Sequence, residues 1–252
     1  MNERLGALLY ISSGYKSRPP LKVVGEVAQI YGLDWGPEGI GANFLIDVNW
    51  DPAEGESFPW KNYLNYWDHK FFNDLPEFST GPITLERICL KIFEYLQNKT
   101  QLKSLSLKIK QGDFQYAMTD FIIYPNVAWA KSIKFNSLHR HHNETLTIEE
   151  NQQIFRKCSQ VHGHEYFFTL ETLGPIDGNT QVVMAHYQIE QWLQKKVFEP
   201  LHGIFLNDLI GNTSGETLLL YLKKQLSTVL PNHLKWKYFL KETKKNSFSL
   251  DS

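Results

Sequence analysis

A cysteine followed four and six residues later by histidines is the densest group of chemistry-bearing side chains in the chain: Cys158-Ser-Gln-Val-His162-Gly-His164-Glu-Tyr166. In a strand, side chains alternate between faces, so His162 and His164 project together and Gly163 lies opposite. Upstream, Phe135-Asn-Ser-Leu-His139-Arg140 ends another candidate strand. An antiparallel pairing would let His139 face the other two. Three imidazoles make a site for Zn²⁺ with an open fourth position, the arrangement of catalytic rather than closed structural zinc. The competing reading of a bare His-x-His is a pair of strand-end polar residues satisfied by hydrogen bonds. The third histidine and the nearby cysteine weigh against it. His141 and His142 are further candidate ligands, read as solvated loop residues.

The remaining reactive groups are sparser. A thiolate is a useful base or nucleophile only if neighbours manage its reference pKa of about 8.5. Zinc and an adjacent histidine could do that for Cys158. Cys89 instead falls on an apolar helix stripe and reads as a small buried hydrophobe. Asp68-His69 is an acid–imidazole dyad in which the carboxylate can orient the ring and stabilise its protonated form. Its competing reading is a solvated turn. Glu242 follows the last strand-like run. A buried carboxylate there suits two donors from a guanidine-like ring edge, against the alternative of a charged tail with Lys244 and Lys245.

The elements that must position these groups repeat. Trp67-Asp-His-Lys-Phe-Phe-Asn-Asp-Leu75 has an echo at Leu201-His-Gly-Ile-Phe-Leu-Asn-Asp-Leu209, so that Asn73 matches Asn207. Thr84-Leu-Glu86 and Ser214-Gly-Glu216 each open an amphipathic helix. Gly-Ala-Asn-Phe-Leu-Ile-Asp47 aligns with Gln-Val-Val-Met-Ala185, with a local insertion placed at Asp51–Ser57. The chain therefore reads as two homologous modules, residues 1–124 and 125–252, meeting near 122–130. In each, two strands come first, with residues 22–31 and 161–172 as the second strands. A helix follows, clearest over 186–197, then a longer one. In the first module Leu85, Ile88, Cys89, Ile92, Phe93 and Leu96 form the apolar stripe of that longer helix. Segments 104–110 and 234–240 close the modules. The order ββααββ implies an α+β fold, an antiparallel four-stranded sheet with two helices on one face. Its other face and its edges need cover, which oligomerisation into a closed barrel would supply.

Composition sets outer bounds. The 252 residues carry 26 basic and 27 acidic side chains, a net charge of -1. That balance gives no global pull toward nucleic acid or an anionic membrane. No run reaches the roughly 18 apolar residues of a membrane span. The apolar stretch near the N-terminus lacks a small-residue cleavage site and reads as a first strand. With only Cys89 and Cys158, a disulfide-stapled secreted domain is not expected, and a reducing cytoplasm is.

Together these residues resemble the 6-pyruvoyltetrahydropterin synthase / 6-carboxytetrahydropterin synthase family. Its pattern is F-x-x-x-H-R, C-x-x-x-H-G-H, D-H-x-x-L-N-D, P-T-x-E-N and a late E-T. The second module carries Phe135…His139-Arg140, Cys158…His162-Gly163-His164, Leu206-Asn207-Asp208, Ser214-x-Glu216 and Glu242-Thr243. The three-residue spacer before His162 looks like the bacterial carboxy-pterin branch. The first module departs from the pattern: Val24-Gly25-Glu26 stands where His-Gly-His would be, and Gln111 about where the late Glu would be. Yet it keeps Asp68-His69, which the second module replaces with His202-Gly203, by a one-residue slip or by substitution.

The resemblance implies two tandem tunnelling-fold modules in a homo-oligomer, a trimer of tandem chains equivalent to a hexamer. It implies a composite site: Zn²⁺ on His139, His162 and His164 with catalytic Cys158, facing Asp68 and His69 of another module. Glu242 would anchor the pterin and Thr84 would add a contact. The implied activity is that of a lyase on 7,8-dihydroneopterin triphosphate, forming 6-carboxytetrahydropterin for 7-deazaguanine and queuosine biosynthesis. The alternatives are a pyruvoyl-type synthase, a non-catalytic pterin-binding relative, and a structural zinc module with a fourth protein ligand.

Overall fold

The computed structural model describes residues 4–15, 40–55 and 57–251. Its eight strands are β1 (Leu5–Tyr15), β2 (Ile40–Trp50), β3 (Ser106–Gln111), β4 (Gln115–Asp120), β5 (Val127–His139), β6 (His162–Gly174), β7 (Lys235–Lys241) and β8 (Ser247–Asp251). They hydrogen-bond in chain order, and the registers that can be written are all antiparallel. The helices are α1 (Trp60–Leu64), α2 (Leu85–Thr100), α3 (Ile148–Phe155), α4 (His186–Leu193), α5 (Leu206–Ile210) and α6 (Gly215–Ser227). The expected class, an antiparallel sheet with helices, is the observed one. Among the described residues no helix is long and apolar enough to cross a membrane.

The chain divides into two compact units, residues 1–131 with 172–189, and 132–171 with 190–252. This differs from the expected cut near residue 124, because the start of β5 and the segment after β6 cluster with the first unit.

In the first unit, strict alternation along β2 buries Phe44, Ile46, Val48 and Trp50 on one face. Leu107 and Ile109 of β3 join them, and α2 lays Ile88, Cys89, Ile92, Phe93 and Leu96 against that layer. Each fully buried side chain of this size contributes about 1.5–3 kcal/mol. Cys89 sits in this core with its thiol pKa pushed far up by burial, as expected for a structural cysteine. Thr84 caps α2 by accepting from the Arg87 N–H at 3.1 Å. The segment after β6 docks on the same helix start: Thr84 donates to the Gln181 carbonyl, and His186 Nε2 lies 2.8 Å from Glu86 Oε1. The His186 ring stacks flat on Trp129, with centroids 3.9 Å apart. These contacts tie 177–189 to the first unit.

In the second unit, Trp236, Tyr238 and Leu240 of β7 face Leu218, Leu222 and Leu226 of α6 across a buried layer. Ser214 and Thr217 cap α6 reciprocally. The expected helix over 186–197 forms, but only to Leu193, after which a π-helical turn carries the chain through Gln194–Phe198.

Two alignments change. The second described strand is β2, residues 40–50, whereas the expected strand over 22–31 lies outside the described residues. The match of Asp47 with Ala185 also fails: Asp47 pairs with Leu8 inside β2, whereas Ala185 precedes α4. Both are short apolar runs, and such runs carry no unique register until their cross-strand partners are known.

Glu86 is fully buried, and its Oε1 is met by the His186 ring at 2.8 Å and the Val183 N–H at 3.4 Å. Removing one partner of a buried pair typically costs about 3–5 kcal/mol. His186→Ala is therefore expected to lower unfolding free energy by about 3 kcal/mol, measured by urea denaturation. A cost below about 1 kcal/mol would show the pair to be dispensable.

Candidate active site

His139 ends β5, and His162 and His164 open β6. One ring nitrogen from each lies within 4.8 Å of the others. The expected three-imidazole cluster is thus formed, and by the expected alternation. The neighbouring backbone orients the rings. His162 Nδ1 faces the Gln160 carbonyl at 2.8 Å, and His139 Nδ1 faces the Thr213 carbonyl at 3.4 Å. A carbonyl on one ring nitrogen directs the other toward a metal. The decisive atom is His139 Nε2. It is buried and has no hydrogen-bond partner among the described residues, in a residue only 1% exposed. Burial and the adjacent His162 pull the His139 pKa down to about 4, so the ring is neutral at pH 7, the form that binds metal. The His164 pKa is lowered as well, chiefly by burial, against the opposing pull of Glu242. These residues fit a divalent cation.

Cys158 is exposed and lies in the 3₁₀ turn Arg156–Ser159 that leads into β6. Its carbonyl accepts from the His141 N–H at 2.8 Å, which holds the turn against the end of β5. Asn207 clamps the same end: its Oδ1 accepts from Arg140 N–H at 2.9 Å and its Nδ2 donates to the Arg140 carbonyl at 2.8 Å. Asn207 of the second Asn-Asp element is thus a backbone clamp beside His139.

Glu242 follows β7 and is 9% exposed at its side chain. Its Oε1 lies 3.5 Å from His139 Nε2 and 3.8 Å from His164 Nε2. The Tyr166 hydroxyl donates to Oε1 at 3.3 Å, and Asn246 Nδ2 donates to Oε2 at 3.2 Å. Tyr166 is 1% exposed, and burial beside Glu242 drives its pKa up. Glu242 is therefore no solvated tail. Tyr166 was not singled out in the sequence, although its place two residues after His164 puts it on the same strand face.

The dyad forms in the first unit. Asp68 Oδ2 lies 3.0 Å from His69 Nδ1, and Asp68 Oδ1 accepts from the Ser12 N–H at 2.8 Å. The Ser12 N–H, and then His69, hold the Asp68 carboxyl below its ordinary pKa. The His69 ring is 81% exposed. Thr84, by contrast, is buried, and its hydroxyl is occupied by Arg87 and Gln181.

The turn that carries the dyad has a counterpart in the second unit. Ser13 Oγ donates to the Trp67 carbonyl, as Ser137 Oγ does to that of Leu201. Gly14 N–H donates to Lys70 O, as Leu138 does to Ile204 O. His69 N–H donates to Ser12 O at 2.7 Å, and Gly203 N–H to Asn136 O at 2.7 Å. Strand positions differ by 124 (137 − 13) and turn positions by 134 (201 − 67) throughout. His202 therefore occupies the place of Asp68, and its Nδ1 accepts from the Asn136 N–H at 3.2 Å. Gly203 occupies the place of His69, and both have positive φ, 77° and 54°. The dyad is lost by substitution, not by a slip.

Register also identifies what replaces the metal ligands. Tyr15 stands 124 before His139. Ile11 pairs with Phe44 as Phe135 stacks on Tyr166, which puts Ile40 and Ala42 opposite His162 and His164. Phe44 pairs with Gln111, and Gln111 holds the place of Glu242, as expected. Val24-Gly25-Glu26, the expected replacement of His-Gly-His, lies outside the described residues; the positions belong to Ile40-Gly41-Ala42.

Comparison with known proteins bears on the second half. The model of the family described as 6-pyruvoyl tetrahydropterin synthase matches residues 129–251. A 6-pyruvoyl tetrahydrobiopterin synthase of Pongo abelii is 30% identical over 126 residues, spanning 46% of this chain and 86% of that protein. The chain belongs to the 6-pyruvoyl tetrahydropterin synthase family. The Homo sapiens protein of the same name is 29% identical over 126 residues, with the same coverages of 46% and 86%. The solved 6-pyruvoyl tetrahydropterin synthase of Caenorhabditis elegans is 25% identical and covers 51% of this chain and 96% of its own, with a TM-score of 0.47. Family membership thus rests on the half that holds the histidine triad, Cys158 and Glu242.

Purified protein dialysed against zinc should hold one ion per chain by elemental analysis, and His139→Ala or His162→Ala should hold none. Zinc should raise the midpoint of thermal unfolding of the wild type, as any ligand of the folded state does, and leave those variants unmoved.

Proposed function

We propose that the chain is a zinc-dependent carbon–oxygen lyase of pterins. It acts on 7,8-dihydroneopterin triphosphate and forms 6-carboxy-5,6,7,8-tetrahydropterin for 7-deazaguanine and queuosine synthesis. The observation that carries this reading is the convergence of His139, His162 and His164 around a buried nitrogen that has no hydrogen bond among the described residues, beside the turn bearing an exposed thiol. Zinc bound there supplies Lewis acidity toward the substrate's side-chain hydroxyls.

The chain's own residues divide the remaining work. Cys158, as thiolate, moves a proton at the substrate's carbon chain. Glu242, steadied by Tyr166 and Asn246, receives the amino-pyrimidine edge through two charge-assisted hydrogen bonds. His69, oriented by Asp68, is the second acid–base partner and is supplied by a neighbouring module of the homo-oligomer. The substitution of Asp68-His69 by His202-Gly203 supports this division, since the half with the metal site carries no dyad of its own. Thr84 would touch substrate only by exchanging its bond to Gln181, so its contribution is secondary.

A second reading has its own support. The relatives compared above are named as pyruvoyl synthases. Product mass separates the two: the carboxy route releases acetaldehyde as well as triphosphate, and the pyruvoyl route does not. Binding of the pterin without turnover would indicate a non-catalytic member.

Incubation of zinc-loaded protein with dihydroneopterin triphosphate should yield the carboxy product by mass spectrometry. Cys158→Ala should abolish turnover while zinc is retained. His69→Ala should slow turnover by about 10²–10⁴-fold, again without loss of metal. An unchanged rate for His69→Ala would remove the composite site and leave the metal centre standing.

A further inference from the structure

The first unit contains a cavity of about 440 Å³, within the size range of small-molecule sites. It opens where β2 begins, where β3 turns into β4, and beside Lys131 of β5. Every residue that lines it belongs to this unit. Ile40 and Ala42 give it apolar wall, and Phe114 of the hairpin, 45% exposed, adds an aromatic ring. Asp113 and Lys131 contribute one charge of each sign, so the lining has no net pull toward an ion of either sign. Among the described residues the lining holds no histidine or cysteine. A flat, uncharged ring suits such a lining better than a metal ion or a phosphate does.

Gln111 sets the polarity of the cavity. The Tyr15 hydroxyl donates to Gln111 Oε1 at 3.1 Å, and Gln115 Nε2 donates to the same oxygen at 3.2 Å. A carboxamide oxygen has two lone pairs, and both are taken. Tyr15 is 7% exposed and stacks on Phe44, which keeps its hydroxyl in place. Gln111 Nε2 has no hydrogen bond among the described residues. Its N–H groups are what the side chain has left to offer a ligand. Glu242, in the matching place of the second unit, can only accept when ionised. The two positions therefore suit opposite ring edges: a carboxylate suits amino and ring N–H groups, and the held Gln111 suits a ring oxo group or an unprotonated ring nitrogen.

We propose that this cavity is a second, metal-independent binding site, which takes a planar heterocycle with an oxo-bearing edge turned to Gln111 Nε2. The ring lies between the apolar wall of Ile40 and Ala42 and the Phe114 side chain. The replacement of a carboxylate by Gln111 is then a change of ligand preference and not simply the loss of a site. The inference rests on the first unit alone and is independent of the catalytic reading of the second.

The test uses the full chain, stripped of metal and titrated with lumazine and with pterin. These are two fluorescent pteridines that differ by an oxo in place of an amino group at one ring position. Lumazine is expected to bind at least about tenfold more tightly, since pterin sets an amino donor against the Gln111 N–H groups. Gln111→Glu should reverse the preference, because a carboxylate only accepts. Gln111→Met keeps the length of the side chain without its polar atoms and should abolish the preference; it decides the matter if the charged variant does not fold. Glu242→Ala should leave lumazine binding unchanged, which separates this site from that of the second unit. No binding of lumazine at millimolar concentration, equal affinity for the two rings, or a preference unmoved by either Gln111 variant would overturn the proposal. So would loss of lumazine binding in Glu242→Ala.

Discussion

A buried ring nitrogen with no hydrogen bond among the described residues, facing Glu242 Oε1 at 3.5 Å, sets the terms for the second unit. Leaving a buried polar group unsatisfied costs about 1–3 kcal/mol, and His139 Nε2 is such a group. The fold does not relieve this by exposing the ring. It reinforces it, with the Thr213 carbonyl behind the ring and the Asn207 clamp holding the strand end in place. Two further imidazoles then arrive from β6 on the same face. Three imidazoles crowded together gain little from one another, and burial together with His162 depresses the His139 pKa to about 4. A divalent cation held by the three rings would turn this mutual cost into coordinate bonds, and its binding would then be coupled to the folding of this strand end.

The same backbone clasp occurs twice, and the two occurrences have been put to different uses. Around Ser12–Gly14 the clasp presents a carboxylate and an imidazole, with His69 held at φ 54°, a conformation a non-glycine residue adopts at a cost. Around Asn136–Leu138 the same turn carries glycine at that position and is free of strain. A strained, exposed imidazole oriented by a carboxylate makes little contribution to stability. Its presence in the first unit, with His202-Gly203 in the matching turn of the second, accords with the division of roles proposed above. In the first unit the positions matching the three histidines are Tyr15, Ile40 and Ala42, side chains that pack rather than coordinate.

How far the sequence could be read depended on which interaction carried the information. The histidine triad was legible because period-two alternation is local and the spacing His-x-His admits one geometry in a strand. Gln111 as the stand-in for Glu242 was legible because the closing hairpins have the same length in both halves. The counterpart of His-Gly-His was misplaced because it depends on cross-strand register, which a short apolar run does not encode. The choice between slip and substitution at His202-Gly203 needed φ values and hydrogen-bond partners. Thr84 carried two signals at once. A threonine immediately before the first turn is a strong helix cap, and the cap, together with Gln181, uses the hydroxyl that a substrate contact would need. Tyr166 went unnoticed because a buried tyrosine reads as core until its hydroxyl is seen on a carboxylate.

Glu242 is where the metal and substrate roles compete. Ligand atoms around a tetrahedral zinc stand about 2.0–2.2 Å from the ion, and so roughly 3.3 Å from each other. Glu242 Oε1, at 3.5 and 3.8 Å from two imidazole nitrogens, is close to that spacing. As a fourth ligand it would close the site, and closed zinc is structural. Oε2 accepts from Asn246 at 3.2 Å and Oε1 from Tyr166 at 3.3 Å, and each carboxylate oxygen keeps a further lone pair for a ring-edge donor. The hairpin that bears Glu242 is thus attached to the site from two sides. On the proposed function an open site would require that Tyr166, rather than the metal, keep Oε1. The Tyr166 hydroxyl would then decide whether these four side chains make a closed zinc clip or an open site.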